Sequence, residues 1–165
     1  ILAIAIGLVA IGGLFSLRAT AGSVPPIHDA TTDLDNPPAF TALPLGEDNL
    51  RGVESEENWR ELHREGYPDL SGVVIAATPE QIVRRAADMA RERGWTVAET
   101  NPQAGTMEAT AYASWIAFED DVVLRAVAVD TNHSRVDMRS VSRVGVSDLG
   151  ENAKRIEEFL EDLQS

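Results

Sequence analysis

A helical pattern of apolar and polar positions begins at Thr78, near the middle of the chain. Thr78 and Gln81 have the spacing of a capping box, and Pro79 fits the first helical position between them. Gly94 ends the pattern. The apolar positions between them recur every three or four residues, as on one face of a helix: Ile82, Val83, Ala86, Ala87, Met89 and Ala90. We therefore predict an amphipathic helix that ends at Gly94.

Four stretches with strand character follow this helix. Apolar residues alternate with polar ones in the second and fourth, and turn residues separate neighbouring stretches. They cover residues 95–100, 106–115, 121–129 and 134–143. A last helix is predicted after a capping box that runs from Asp148 to Glu151. Its apolar positions are four, three, four and three residues apart: Leu149, Ala153, Ile156, Leu160 and Leu163.

This order of elements predicts an α+β fold. Sequential strands with short turns favour a four-stranded antiparallel β-meander, packed on one face by the two amphipathic helices. Before it we expect an extended, proline-rich arm over residues 27–50 and a short helix, capped by Ser55 and ended by Gly66. The predicted organisation is a transmembrane anchor (1–18), a linker with arm and short helix (19–66), and the α+β domain (67–165).

The N-terminal stretch, residues 1–17, carries no charge. As a helix it would span about 25 Å, close to the roughly 30 Å of a bilayer's hydrocarbon core. We favour a transmembrane helix over a cleaved signal peptide or a buried helix. A signal peptide remains an alternative, because Ala19, Thr20 and Ala21 are typical of a cleavage site. Segments on the cytoplasmic side of a membrane span are enriched in basic residues. The domain that follows residues 1–17 is instead rich in acidic residues. We expect a single-pass protein of the inner (cytoplasmic) membrane whose acidic domain lies on the periplasmic or extracytoplasmic side.

Charge and composition narrow the function classes. The chain has 27 acidic residues, 14 basic residues and no cysteine, for a net charge of −13. Phosphate binding needs a basic surface, so we expect no nucleic-acid partner. The absence of cysteine removes disulfides, thiolate catalysis and cysteine-ligated metals. No phosphate-binding loop or dinucleotide motif is present, and we predict neither a cofactor nor a catalytic residue.

Strand periodicity gathers arginines on one sheet face. Arg135, Arg139 and Arg143 alternate along the last strand, and Arg125 and Glu108 could face the same way. One interpretation is a ladder of ion pairs on a solvated face. The other is a socket for an anionic group, because the guanidinium fork binds carboxylate or phosphate bidentately. The hypothetical ligand set comprises Arg125, Arg135, Arg139, Arg143, Asp120 and Asp121.

The remaining polar residues leave further alternatives open. Asp120 and Asp121 could bind a divalent cation or support acid–base chemistry. They could equally cap the turn and pair with Arg125 or Arg143. His28 lies among aspartates whose spacing matches no metal-binding loop, so we predict no metal site. His63 and His133 are predicted to be exposed to solvent.

Four aromatic residues are candidates for contact with a partner: Phe40, Trp59, Trp115 and Phe118. The alternative is packing in or around the core. Trp115 to Phe118 is a run of four apolar residues at a strand end. If exposed, it would be an interface or a loop that dips into a membrane, because aromatic side chains contribute much of the contact energy.

Several blocks resemble a known family. They include Gly94-Trp95, the run FEDDV at 118–122 and the long run SRVDMRSVSRVGVSDLGENA at 134–153. Over residues 27–163 the chain resembles the bacterial and plastid family called domain of unknown function 1499. The resemblance implies an N-terminal membrane segment, in agreement with residues 1–17. It implies no activity, so no catalytic roles follow from it.

Three functional hypotheses remain. The first is a membrane-anchored, non-catalytic accessory or stabilising subunit of a larger membrane complex, such as a photosynthetic or respiratory one. It predicts an exposed apolar tip and an arm with few contacts to its own domain. The second is a module that binds a small ligand or anion in a concave pocket with convergent arginines. The third is an enzyme with carboxylates of shifted pKa, built from Asp120, Asp121, Arg125, Arg139 and Arg143.

Overall fold

The computed structural model describes residues 24–112 and 118–165, which form an α+β domain with six strands and three helices. The strands are β1 (Asp29–Thr31), β2 (Val73–Ile75), β3 (Thr96–Asn101), β4 (Thr106–Tyr112), β5 (Glu119–Ala128) and β6 (Ser134–Ser142). The helices are α1 (Glu56–Gly66), α2 (Pro79–Glu92) and α3 (Glu151–Gln164). The predicted anchor lies outside the described residues. Within them, no helix combines the length and apolar character needed to cross a membrane.

All six strands belong to one antiparallel sheet in the order β1-β6-β5-β4-β3, and β2 also pairs with β6. The four strands of the predicted meander are present. The predicted total of four is wrong, because β1 and β2 both add to the outer edge of β6. Asp29 lies opposite Val141, and Val74 lies opposite Arg135. Each added strand has only three residues, too few for a period of two to stand out in the sequence.

Helices α2 and α3 cover one face of the sheet, as predicted. The α2 capping box is confirmed, because Thr78 and Gln81 bond to each other's backbone amides. The sheet contributes small and flexible side chains to this core, among them Met107, Ala109 and Met138, all fully buried. Phe159 of α3 stacks on Trp95, with ring centroids 5.1 Å apart. The alanine-rich interior lets the helices lie close to the strands.

The start of α3 differs in detail from the predicted capping box. The helix begins at Glu151, and Gly150 takes the cap position with φ of +90°. Asp148 lies two residues earlier, and its carboxylate accepts the amide protons of Gly150 (2.9 Å) and Asn152 (2.8 Å). The predicted capping box is therefore wrong, because Asp148 is not the cap residue, although its side chain still binds an amide of the first turn.

A tight turn joins β3 to β4 at Gly105. This glycine has φ of +74°, and a Cβ there would lie 2.2 Å from the carbonyl oxygen of Ala126. The same contact lets Gly105 accept a 2.7 Å hydrogen bond from the Ala126 amide. A side chain at this position would break the approach of the turn to β5.

The other face of the sheet is covered by helix α1 and the arm. The predicted cap of α1 is confirmed, since the Ser55 hydroxyl accepts the Asn58 amide proton at 3.1 Å. From α1, the indole of Trp59 donates to the Asp29 carbonyl, at a distance of 3.0 Å. The part of the arm that follows β1 in the chain crosses this face of the sheet. Its backbone there forms hydrogen bonds with side chains of β4 and β5. Helix α1 and the arm therefore cover the face of the sheet that carries the charged residues.

Candidate functional site

The candidate site is the face of the sheet that lies under the arm. Strand register aligns Glu108 with Val123 and Arg139, and it aligns Arg125 with Asp137. The predicted grouping of charged residues is therefore present. We call this surface the polar face and define it by its charged residues: Asp29, Glu108, Asp121, Arg125, Arg135, Asp137, Arg139 and Arg143.

Arg139 forms the most enclosed ion pair of the polar face. Its Nε lies 2.9 Å from Asp29 Oδ1 and its Nη2 lies 2.6 Å from Oδ2, a bidentate geometry. Asp29 is 1% exposed and also accepts a 2.9 Å bond from Asn49. The rings of Phe40 and Trp59 lie 6.0 Å and 5.9 Å from the guanidinium carbon. The two rings and the arm therefore shield this pair from water.

Arg125 and Arg135 share Asp137. Arg135 contacts that carboxylate through two nitrogens, at 2.9 Å and 3.0 Å, and these hydrogen bonds raise the pKa of Arg135. Arg125 bonds Asp33 of the arm at 2.8 Å, lies 3.5 Å from Asp137 and donates to the carbonyl of Asn36 at 3.0 Å. Arg125 thus binds the arm to the sheet.

Arg143 is held at the far end of the same face. Two of its nitrogens lie 2.8 Å from the Asp121 carboxylate, and this hydrogen bonding raises the pKa of Arg143. It also donates to Glu119 and Thr110. Each of the four arginines predicted for an anion socket is thus bound by a carboxylate of its own chain.

Asp120 and Asp121 face opposite sides of the sheet. Asp121 pairs with Arg143 on the polar face, whereas Asp120 lies 2.5 Å from Arg155 on the helical face. Neighbouring residues of a strand point in opposite directions, so the two carboxylates do not converge on one cation. Among the described residues, no group of three or more possible ligands could hold a metal ion.

Sequence reasoning missed a buried polar cluster between α3 and β6. Asn152 is fully buried, accepts from Ser140 at 2.6 Å, and donates to the His28 carbonyl at 3.0 Å and to Ser142 at 2.9 Å. Arg155 also donates to the side-chain oxygen of Asn152, at 2.6 Å. These bonds fix α3 against the end of the sheet. The helical spacing of Asn152 and Arg155 after Asp148 was the available signal.

Glu108 attaches the arm through backbone amides. Its carboxylate accepts from the amides of Thr41 (2.7 Å), Ala42 (3.0 Å) and Leu43 (2.8 Å), and from the Thr41 hydroxyl at 2.7 Å. Burial alone would raise the pKa of Glu108, but these bonds hold it below its usual value. We call Glu108 and residues 41–43 the arm latch. The arm therefore has many contacts to its own domain, contrary to the expectation for an accessory subunit.

His63 is buried, so its predicted exposure is wrong. It is 1% exposed, and its Nε2 accepts the Thr31 amide proton at 3.0 Å. It lies one turn after Trp59 in α1 and packs edge-on against Trp59 and Tyr67. β1, which receives this face of the helix, was absent from the prediction. Burial lowers the pKa of His63 to about 4. His133 is exposed, as predicted.

Burial of His63 predicts an acid-sensitive domain. Its pKa of about 4 in the folded protein lies below the roughly 6.5 of an unfolded histidine, so protonation favours unfolding. The stability that the neutral form of His63 contributes is complete above about pH 6.5 and is lost as the pH falls towards 4. We expect a loss of about 3 kcal/mol over that interval, measured by urea unfolding in a pH series. The pKa of buried His28 is lowered in the same direction.

The variant His63→Gln provides the control, because glutamine can still accept the Thr31 amide proton but does not titrate. Its stability should fall less steeply between pH 6.5 and 4. Equal pH slopes for both proteins would contradict the assignment to His63.

Two concave regions lie beside the charged residues. A cavity of about 240 Å³ separates residues 44–51 of the chain from the ends of β5 and β6. Arg51 and Arg143 line it, but Arg51 donates to the carbonyls of Gly145 (2.6 Å) and Ser142 (2.7 Å). A groove of about 400 Å³ lies between α3 and the strands, lined by Arg93, Trp95, Tyr112 and Lys154, among others. The arginines of the first cavity are therefore occupied by protein oxygens.

The predicted partner contacts are placed differently from one another. Trp59 is 3% exposed and Phe40 is half-buried against Arg139, so both serve the domain itself. Phe118 is 50% exposed and lies immediately before β5. Trp115 lies outside the described residues. An exposed aromatic residue is therefore present at the predicted apolar tip, within the part that the structure describes.

Comparison with known proteins gives a family and a distant structural likeness. A family model described as a protein of unknown function, DUF1499, matches residues 29–163. A search of curated proteins gives no match. A solution NMR structure from Thermobifida fusca, a structural-genomics target, is similar at 15% identity with a TM-score of 0.37. That likeness covers 56% of this chain and 82% of the other, and it is too weak to support an argument about fold or function.

Proposed function

The chain belongs to the DUF1499 family of proteins of unknown function, and we propose that it is a non-catalytic accessory subunit anchored in a membrane. In this proposal residues 1–17 hold the domain at the inner membrane, on its extracytoplasmic side. Tethering raises the local concentration of the domain next to other membrane proteins. The host is a larger membrane complex, for example a photosynthetic or respiratory one, which the domain stabilises.

The observation that carries this proposal is the internal pairing of the polar face. Arg125, Arg135, Arg139 and Arg143 all bind carboxylates of the same chain. An incoming anion would have to displace those carboxylates and lift the arm from Glu108. A domain whose charges are already paired and covered by its own arm is suited to a structural role more than to ligand exchange. Because the arm is bound to its own domain through Glu108, this proposal does not use the arm for contact with the host.

A small-anion site is the second candidate, favoured by the cavity of about 240 Å³ beside Arg51 and Arg143. The side chain of Arg143 is 41% exposed, so a small carboxylate could reach it from solvent. Binding there would compete with Asp121. Isothermal titration with acetate and inorganic phosphate, using Arg143→Gln as the control, tests this alternative directly.

The accessory role is tested by isolating the full chain from native membranes. The tagged protein is extracted in mild detergent, run on a sizing column, and its companions are identified by mass spectrometry. We expect a stoichiometric complex with an integral membrane protein. A chain that runs alone, with its own detergent micelle, would refute the accessory role.

A matched control separates anchoring from assembly. The double substitution Val9→Arg and Ile11→Arg places two charges in the apolar segment and leaves the described domain untouched. Each costs about 2.5–3.5 kcal/mol at the centre of a membrane helix. This variant should leave the membrane fraction and lose the complex.

A further inference from the structure

We propose that one end of the domain rests on the lipid bilayer, through side chains that we call the apolar end: Phe118, Val144, Val146 and Leu149. Their exposed fractions are 50%, 51%, 55% and 53%. The β5–β6 register, continued by two residues from Asp120 and Ser142, sets Phe118 opposite Val144. The inference rests on the proposed membrane anchor, and it adds which surface faces the lipid.

The apolar end is held in a fixed shape. Arg51 donates to the carbonyls of Gly145 and Ser142 at the beginning of the loop between β6 and α3. Asp148 bonds two backbone amides at the other end of that loop. Leu149 has φ of +56°, a conformation that residues with side chains rarely adopt. The domain thus holds apolar side chains towards water on an ordered loop.

The chain enters the described structure beside this loop. A Cβ placed on Gly150 would lie 3.2 Å from a methyl group of Val24, and the Ile27 carbonyl accepts the Asp148 amide proton at 3.2 Å. Only residues 18–23 separate Val24 from the uncharged segment. Six residues reach about 20 Å when fully extended. If residues 1–17 are in the bilayer, the apolar end lies within that reach of its surface.

Charge and size favour lipid over other occupants. Residues 1–17 folded back as a helix would be apolar on all sides, which four half-exposed side chains cannot cover. A second copy would bring together two domains that each carry a net charge of −14, from 13 basic and 27 acidic residues beyond residue 23. A bilayer interface accepts apolar side chains in a shallow layer without requiring a matched surface. The acidic domain should prefer zwitterionic lipid.

The opposite end of the sheet supplies an internal control. Val74, Val127 and Val129 are 57%, 52% and 55% exposed, as much as the apolar end. Val74 and Val127 lie on either side of Arg135 in the sheet, far from the entry of the chain. If exposure alone governed lipid contact, both ends would touch the membrane. The proposal allows only the end beside Val24.

Labelling tests the proposal in the full chain, which contains no cysteine. The single variants Leu149→Cys and Val146→Cys are compared with Val129→Cys and Val74→Cys. Each carries an environment-sensitive nitrobenzoxadiazole label and is reconstituted into phosphatidylcholine nanodiscs with spin-labelled lipid as quencher. We expect at least threefold stronger quenching at Leu149 and Val146 than at the two control positions. Matching thermal melts show that all four variants are folded.

Two further readouts separate the possible failures. Flotation with phosphatidylcholine vesicles reports anchoring, and a chain that does not float refutes both the anchor and this inference. A chain that floats, with equal quenching at Leu149 and Val129, refutes the inference alone. A Leu149 label that is protected from aqueous iodide but is not quenched by spin-labelled lipid would also refute it, because protein would then cover the apolar end.

Discussion

The variant Asp29→Asn is expected to lose about 3–5 kcal/mol of unfolding free energy, the usual cost of leaving a buried charge without its partner. Asp29 is 1% exposed and holds Arg139 through two hydrogen bonds. After the substitution the guanidinium stays between Phe40 and Trp59 without a counter-charge. Urea unfolding at neutral pH, followed by circular dichroism, measures the loss.

A double-mutant cycle assigns that loss to the pair. Arg139→Met keeps the stem of the side chain between the two rings and removes the charge. The combined variant should be more stable than the sum of the single losses predicts, with a coupling energy of about 2 kcal/mol or more. Strictly additive losses would show that Asp29 and Arg139 act independently and would contradict the argument.

The second large effect is expected at the arm latch. Glu108→Gln removes the charge that three backbone amides share, and it turns an amide group of its own towards them. Hydrogen bonds to charged groups contribute about 1.5–3 kcal/mol each, so we expect a loss of about 3 kcal/mol after partial compensation. Local release of the arm should speed hydrogen exchange of the Ala42 and Leu43 amides about a hundredfold. Exchange followed by mass spectrometry reads this out.

Glu99 supplies the control for the latch. Its carboxylate lies on the neighbouring strand, 3.2 Å from the same Thr41 hydroxyl that donates to Glu108, and among the described residues it binds no amide of the arm. Glu99→Gln therefore changes charge and shape in the same way without removing the shared amide bonds. Exchange at residues 41–43 should stay near the wild-type rate. If both variants released the arm equally, net charge and not the latch would be responsible.

The sheet could be predicted where long strands alternate. Val136 and Met138 face the helices and Arg139 faces the arm because the period of two persists through all nine residues of β6. The same alternation placed Arg125 with the arginines of β6. The pairing of Asp121 with Arg143 was among the alternatives that the sequence offered. The pairs of Arg139 and Arg125 with Asp29 and Asp33 could not be read from the pattern, because those carboxylates come from a segment over 90 residues away.

The missed features share one physical origin. β1 and β2 have three residues each, so tertiary pairing with β6 and not local pattern makes them strands. Without β1 there was no surface for α1 to cover, and His63 was placed in solvent. The arm latch was equally hidden, since Glu108 bonds backbone amides, which leave no trace in side-chain patterns.

The pairing of β1 with β6 has a consequence for synthesis on the ribosome. Asp29 meets Val141, and about 110 residues must be translated between them. At roughly 5–20 residues per second, that takes about 5–20 s. Until then β1 has no strand with which to pair, and Trp59 has no site in which to be buried. The apolar N-terminal segment has already emerged by that time. The nascent chain is therefore expected to wait with its arm unfolded, and the domain closes only as its last quarter is released.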